Sequence, residues 1–293
     1  MSRTALIDLS RLPRPDFVTL QDFETLLAEI RVDFLEALPS AKRDEIAATL
    51  ELESEPLTKL LELSAYRIMI ERQAFNDRAA RLMLAYAQGA ELDHIGVTYY
   101  QTERLTSSAG EPESDEDYLR RLLLAYDGYS TAGARDAYVY HALAADGDVL
   151  DAAVTSSRAG VVTVTVLSRQ GNGTASAALV SAVDVALSAE TVRPLNDQVE
   201  VQSAAVTEYE IRATLTIREG PAKSVVAKAA RAAAEAYAAD RHRLGLPVVR
   251  DAVLAALWVE SVEHVELQSP TADIPRDSHQ AAYCTLIEVD YVE

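Results

Sequence analysis

Between Ser54 and Gly89 the apolar residues fall into a helical rhythm. Leu57, Leu61, Ala65, Ile68, Phe75, Ala79, Leu82 and Tyr86 recur at intervals of three, four or seven, so one side of an α-helix gathers them. Ser54-Glu55-Pro56 supplies a capping serine, an early acid and a first-turn proline, and Gly89 supplies a stop. The pattern predicts one continuous helix over about 55–88, a rod of roughly 50 Å at 1.5 Å per residue. Upstream, Phe23, Leu26, Leu27, Ile30, Phe34 and Leu38 share one side of a second helical stretch that ends before Pro39. Downstream, Ser114 and Asp117 open a helix carrying Tyr118, Leu122 and Tyr126. The region 1–147 therefore reads as helical. Its apolar stripes must be covered by one another or by another chain, and periodicity alone does not choose.

After Gly147 the period shortens. Val162, Val164 and Val166 alternate with Thr163, Thr165 and Leu167, a strand that Gly171-Asn172-Gly173 interrupts. A helix over 174–189 and a strand over 199–201 complete a small α+β module at 148–205. A second module, 206–293, follows. It has a long strand with Tyr209, Ile211, Ala213, Leu215 and Ile217 on one face, a stop at Gly220-Pro221, and an alanine-rich helix to about Arg241. Another helix from near Pro247 carries Val253, Leu254, Leu257 and Trp258, and strands at 262–267 and 283–291 close the chain. The fold class is α+β, a helical region with a long helix followed by two small α+β modules.

Charge narrows the choice of partners. Lys and Arg number 27 against 46 Asp and Glu, a net charge of −19 over 293 residues, which opposes a sequence-independent grip on nucleic acid or on anionic lipid. The opening MSRTALIDLSRLPRPDF lacks the apolar run of a signal peptide, and no stretch approaches a membrane span, so a soluble protein made in the cytosol is expected. The single Cys284 excludes an intrachain disulfide and makes a cysteine-based metal site improbable.

Candidate chemistry is sparse. Gly128-Tyr129-Ser130-Thr131-Ala132-Gly133 is reminiscent of the G-x-S-x-G nucleophile elbow, but that motif needs a strand before it and one residue between serine and glycine. Here the preceding YLRRLLLAY is helical and two residues intervene. Gly128 as a left-handed helix stop, with Ser130 or Thr131 capping the next helix, accounts for the stretch without a reaction. A hydrolase using Ser130 stays as the alternative from another class, with a cytosolic adaptor as a third. His94, His141, His242, His264 and His279 are not spaced as paired ligands on one helix face, and Asp93-His94 reads as the polar tail of a helix end. Gly171-Asn172-Gly173-Thr174 reads as a strand-to-helix turn rather than a phosphate cradle, and ESDED at 113–117 as a solvated helix start. No catalytic, cofactor or metal residue is assigned.

Several segments in order carry a resemblance. Glu55-Pro56-Leu57-Thr58-Lys59-Leu60-Leu61-Glu62, Met83-Leu84-Ala85-Tyr86-Ala87, Gly89-Ala90-Glu91-Leu92-Asp93 and the GYSTAG stretch come first. YVYHALAADGD at 138–148, TVTVLSR at 163–169, Val192-Arg193-Pro194-Leu195 and Ala281-Ala282-Tyr283-Cys284 follow. Together, from about residue 15 to the end, they resemble the baseplate J family of contractile phage tails and related headless tailocins. The resemblance implies a non-enzymatic wedge subunit of the baseplate, without cofactor, resident in the virion or tailocin particle and assembled in the bacterial cytoplasm. It implies two copies joined to one tail protein I-type wedge subunit in a helical bundle that also meets the small sheath-initiating, lysozyme-like W-type protein. It further implies C-terminal modules that meet neighbouring wedges in a six-fold ring around the hub. On this reading the rod supplies the candidate partner interface, Leu57, Leu61, Ile68, Phe75, Leu82 and Tyr86.

Overall fold

The structure, a computed structural model, describes residues 7–130, 134–220 and 222–292. Thr131-Ala132-Gly133 of the GYSTAG stretch, Pro221 of the Gly220-Pro221 stop and the first six residues of the N-terminal segment lie outside them. The chain divides into two compact units, residues 7–98 and the described residues from 99 onward.

The first unit is helical. Helix α1, Phe23–Ala37, starts where the Asp22 carboxylate accepts the Thr25 amide at 2.9 Å and the Thr25 hydroxyl at 2.7 Å. Helix α2, Ser40–Leu50, contributes only Ile46 and Leu50 to the core, too little apolar pattern for the sequence to announce it. Helix α3, Pro56–Ala80, begins with proline in its first turn, and Thr58 donates its hydroxyl to the Leu50 carbonyl at 3.2 Å. Leu26 and Leu27 of α1, Leu50 of α2 and Leu61 and Ala65 of α3 form the buried core, with Phe23, Ile30, Phe34, Leu57 and Ile68 packed against it.

The expected rod is shorter than its pattern. Helix α3 ends at Ala80, about 38 Å long at 1.5 Å per residue, and turns occupy the next residues, where the Leu82, Met83 and Tyr86 amides each donate three residues back. Apart from Tyr86, the residues from Arg81 to Gln88 favour a helix, and none is a breaker, so propensity offers no stop before Gly89. Tertiary contact makes the break: Ala87 is buried and Tyr86 donates its hydroxyl to the Leu12 carbonyl at 2.9 Å. Gly89, at φ +52°, opens helix α4, Gly89–Tyr100, instead of ending a helix, and Asp93-His94 lies inside α4 rather than trailing one.

In the second unit, α5 (Asp115–Leu124) and α6 (Arg135–Ala145) lead into strands β1 (Val149–Arg158), β2 (Val161–Ser168) and β3 (Gln198–Ser203), with α7 (Ala177–Leu187) between β2 and β3. β1 and β2 are antiparallel, β2 and β3 parallel, and the sheet order is β1-β2-β3. Val149, Ala152, Val154, Val164 and Val166 pack on Tyr138, Ala142, Leu143, Leu179, Val183 and Leu187 of α6 and α7. Ala204 alone separates β3 from β4 (Ala205–Ile217), which heads a second sheet of order β5-β4-β6, with β5 Val262–Ser269 and β6 Gln280–Tyr291. The alternating face foreseen on β4 packs under α8 (Lys223–Arg241) and α9 (Arg250–Leu257). The architecture is α+β, as the two rhythms indicate. β1 escaped the sequence reading, since LDAAVTSS lacks the plain alternation of β2.

Candidate functional site

Helix α3 is apolar on two sides. Successive residues turn by about 100°, so Leu57, Leu61, Ala65 and Ile68 face inward while Leu60, Leu63, Arg67, Ile70 and Ala74 lie on the opposite side. The outward set is spaced three, four, three and four, the repeat of a coiled-coil seam, with Arg67 at its middle. Leu60 is 57% exposed, Leu63 53% and Ile70 48%, and Tyr66 stands exposed beside them. The Lys59 ammonium pairs with Glu62 at 2.9 Å on one flank, and the Ser64 hydroxyl bonds back to the Leu60 carbonyl at 2.8 Å. Isolated exposed leucines are ordinary; here Leu60, Leu63 and Ile70 stand exposed along one side of a single helix, interrupted by Arg67.

The six sequence candidates separate. Leu61 is buried against α1, and Leu57 and Ile68 pack beside it, inside their own unit. Phe75 is exposed, Leu82 is exposed but lies beyond the helix end, and Tyr86 is half-buried where it bonds Leu12. The outward seam passed unnoticed because the inward stripe had already explained the helix. Counting leucines and isoleucines on both sides of the helix would have found it.

The C-terminal half of α3 is crossed by the segment Leu12–Gln21. Asn76, itself buried, accepts the Phe17 amide at 3.1 Å and the Val18 amide at 2.8 Å, and donates to the Val18 carbonyl at 2.8 Å. Arg14 pairs with Asp77 at 2.5 Å, and Arg72 donates to the Gln21 side chain. The strap buries little of its own side chains, Leu12, Phe17 and Leu20 being exposed, so polar bonds hold it.

In the second unit the charged residues turn inward. Asp117 of α5 accepts Arg169 at 2.6 Å and Arg243 at 2.5 Å, and Arg243 also donates to the Leu150 carbonyl at 2.7 Å. Asp151 of β1 accepts Arg120 at 2.6 Å, the Leu244 amide at 3.0 Å and the Ala152 amide at 2.9 Å. Leu244 sits buried with Leu167, Ala204 and Ala281, so the loop after α8 enters the junction of the two sheets. Arg121 forks onto Glu113 at 2.6 and 3.1 Å, and the Arg121 and Arg104 guanidiniums lie over the Tyr118 ring. ESDED is thus not a solvated run: Glu113 and Asp117 are enclosed by arginine partners. Burial opposes ionisation of Asp117, but Arg243 and Arg169 outweigh it and hold the carboxyl below its usual range. Burial likewise opposes the charge on Arg243, and Asp117 holds its pKa above the ordinary value.

The residues weighed for chemistry have structural places. A helix, α5, and a single 3-10 turn, Asp127–Tyr129, precede Ser130 where a nucleophile elbow would have a strand. Gly128 is not the left-handed stop expected; a side chain there would run into the Tyr140 ring at 2.3 Å. Ala134 rather than Ser130 precedes α6, without a side-chain cap. Gly171 and Gly173 take positive φ in a turn after β2, and Ser176 caps α7 by accepting the Leu179 amide at 3.2 Å. Among the described residues no group of three or more His, Cys, Asp or Glu is placed to hold a metal ion, and no helix is long and apolar enough to cross a membrane.

Comparison with known proteins gives consistent matches. Residues 53–111 match the Baseplate J-like N-terminal domain, 130–203 the Baseplate J-like central domain and 209–290 the Baseplate J-like protein C-terminal domain. The chain is 46% identical over 290 residues to Baseplate protein J of Escherichia phage P2, covering 96% of each protein. Among solved structures, a chain of the anti-feeding prophage baseplate aligns over 60% of this chain and 42% of its own length, at 14% identity and a TM-score of 0.39.

Proposed function

The chain belongs to the Baseplate J-like family, and from that premise we propose that it is a wedge subunit of a contractile-tail baseplate. Its structural role in the baseplate of a phage tail follows from the family. The finer assignment rests on one observation, the seam on the outer side of α3 in which Leu60, Leu63 and Ile70 are exposed and Ala74 is half-buried. Covering such a stripe yields about 25 cal/mol per Å² of apolar area removed from water, which a partner helix in a heteromeric bundle collects. The bundle unites two copies of this chain with a tail protein I-type subunit, and the sheath-initiating protein docks on it. The modules at 148–205 and 206–293 meet neighbouring wedges in a six-fold ring around the hub, where they take part in triggering contraction. Phe75 and Leu82 are exposed as well but lie off this seam, Phe75 on the Leu57 side of α3 and Leu82 past its end.

The test is assembly. Tails are produced from a genome carrying Leu63→Asp or Ile70→Asp, both exposed positions, with helical content of the purified variants checked by circular dichroism. Normally folded variants missing from purified tails are expected; normal incorporation of both would remove the seam from the bundle. Co-expression with the neighbouring tail genes and native mass measurement should return a complex with two copies of this chain per partner.

A further inference from the structure

Residues 81–88, RLMLAYAQ, contain no helix breaker, yet they form turns. None takes a positive φ, and Arg81, at φ −64° and ψ −13°, is still right-handed where α3 ends. Their bonds run short: the Leu82, Met83 and Tyr86 amides reach back three residues instead of four, and the Leu84, Ala85 and Gln88 amides have no partner among the described residues. In a continuous helix those three amides would bond the carbonyls of Ala80, Arg81 and Leu84. Leu82 and Tyr86 would then fall on the same side as Leu57, Leu61, Ile68 and Phe75, at 100° per residue. Gly89, at φ +52°, already holds the left-handed conformation that closes such a helix one residue past its end.

The strap Leu12–Gln21 opposes that helix. It binds α3 at Arg72, Asn76 and Asp77, and then takes the Tyr86 hydroxyl beyond the break. In a continuous helix Asp77 and Tyr86 would stand about 13 Å apart along the axis and half a turn apart around it. Arg14 and Leu12, which bind them, are two residues apart on the strap, at most about 7 Å. Keeping both bonds draws the chain between Asp77 and Tyr86 back on itself. The strap's grip is polar and its Leu12, Phe17 and Leu20 are exposed, so lifting it returns little of its own apolar area to water.

We infer that the strap is a latch on the length of α3. With the strap seated, the helix stops at Ala80. With the strap lifted, residues 81–88 join it and the rod runs to Gln88, about 12 Å longer. The two lengths are two states of one segment: local propensity favours the long one, and four side chains, Arg14, Arg72, Asn76 and Tyr86, hold the short one. The latch does not depend on which chain meets the outer face of α3.

Hydrogen exchange of the full-length chain, read amide by amide, tests the latch. The triple variant Arg14→Ala/Asn76→Ala/Tyr86→Phe loosens the strap. It is expected to expose the Phe17 and Val18 amides and at the same time to slow exchange at Leu84, Ala85 and Gln88 about tenfold, as four-residue bonds form there. A strap that merely packs on α3 would do the opposite, leaving those three amides as fast as in the parent or faster. Adding Ala85→Gly, which disfavours a helix about fivefold, should take back most of the gain. The double variant Arg14→Ala/Tyr86→Phe keeps the buried Asn76, and it decides the matter, at about threefold, should the triple variant lose protection across α1. Exchange at Leu84, Ala85 and Gln88 that is not slowed, a gain undiminished by Ala85→Gly, or Phe17 and Val18 amides still protected in the triple variant overturns the inference. The bundle reading is judged separately, by incorporation of Leu63→Asp and Ile70→Asp into tails.

Discussion

In residues 7–98 a small core, Leu26, Leu27, Leu50, Leu61 and Ala65, is flanked by large apolar side chains left in water, while the ion pairs Arg14–Asp77 and Lys59–Glu62 lie on the surface. In residues 99–292 two broad sheet cores are closed beneath helices, and Asp117, Asp151 and Arg121 are taken inside with partners. The first unit leaves large apolar side chains, Leu60, Leu63 and Ile70 of α3 among them, in water. The second encloses Asp117, Asp151 and Arg121 with partners of opposite charge or backbone groups, although Arg276 keeps Nε and Nη2 buried without a hydrogen-bond partner. In an assembly part, such a division separates the surface that joins from the body that keeps its form.

The strongest way to break this contrast is to leave a charge unanswered in the second unit. Asp151→Ala strips the acceptor from Arg120 and from the Leu244 amide in a buried place, and should cost about 3–5 kcal/mol. Denaturant unfolding followed by Trp258, the one tryptophan of the chain, reads it. A loss below about 1 kcal/mol, the range of exposed pairs, would show that the junction is wet and the two units are alike.

A pair of substitutions one residue apart sharpens the contrast within α3. Leu61→Ala empties a buried site and should cost about 2–5 kcal/mol, whereas Leu60→Ala, exposed, should change stability by less than about 0.5 kcal/mol. Hydrogen exchange of the α1 and α3 amides measures both. Equal effects at 60 and 61 would mean that α3 has no inner and outer face.

Asn76→Ala comes next, at about 1–3 kcal/mol, because it releases the strap and leaves the amides of Phe17 and Val18 without their acceptor. Faster exchange at those two amides, with α1 unchanged, is the expected result; unchanged protection there would mean that the strap is held by something other than Asn76.

Particular residues show what the sequence could and could not convey. Ser114, the alternation of Val162, Val164 and Val166, and the strand from Tyr209 to Ile217 are local signals, each confined to one element, and they were legible. The end of α3 was not, because residues 79–85 are good helix formers, no breaker precedes Gly89, and Tyr86 reaches Leu12, 74 positions away. Asp117 was misread as solvated because its partners, Arg169 and Arg243, lie 52 and 126 residues along the chain. The inner half of the expected interface, Leu57, Leu61 and Ile68, shows the same limit: periodicity reveals that a helix has an apolar side, and only the packed neighbours reveal which side is already occupied.

The smallest effect concerns pH and again separates the units. His141 of α6 is half-buried, with Nε2 3.0 Å from the Gly128 carbonyl, so the neutral ring donates Nε2–H there. Burial holds its pKa below the ordinary 6.5, the carbonyl opposing this only in part. The unfolded chain therefore takes up a proton near pH 6.5 that the folded chain refuses, and stability falls as the pH drops from 6.5 towards the folded value. One such group contributes a slope of at most about 1.4 kcal/mol per pH unit. Asp117 works lower: its depressed pKa gives stability that is whole above about pH 4, the usual range of an unfolded aspartate, and is lost as pH falls further. Trp258-monitored unfolding should thus weaken between pH 7 and 5 in the parent and stay level in His141→Gln. If both proteins show the same slope, another group governs the second unit in this range, and its charges are not as fully answered within the fold as Asp117 and Asp151 indicate.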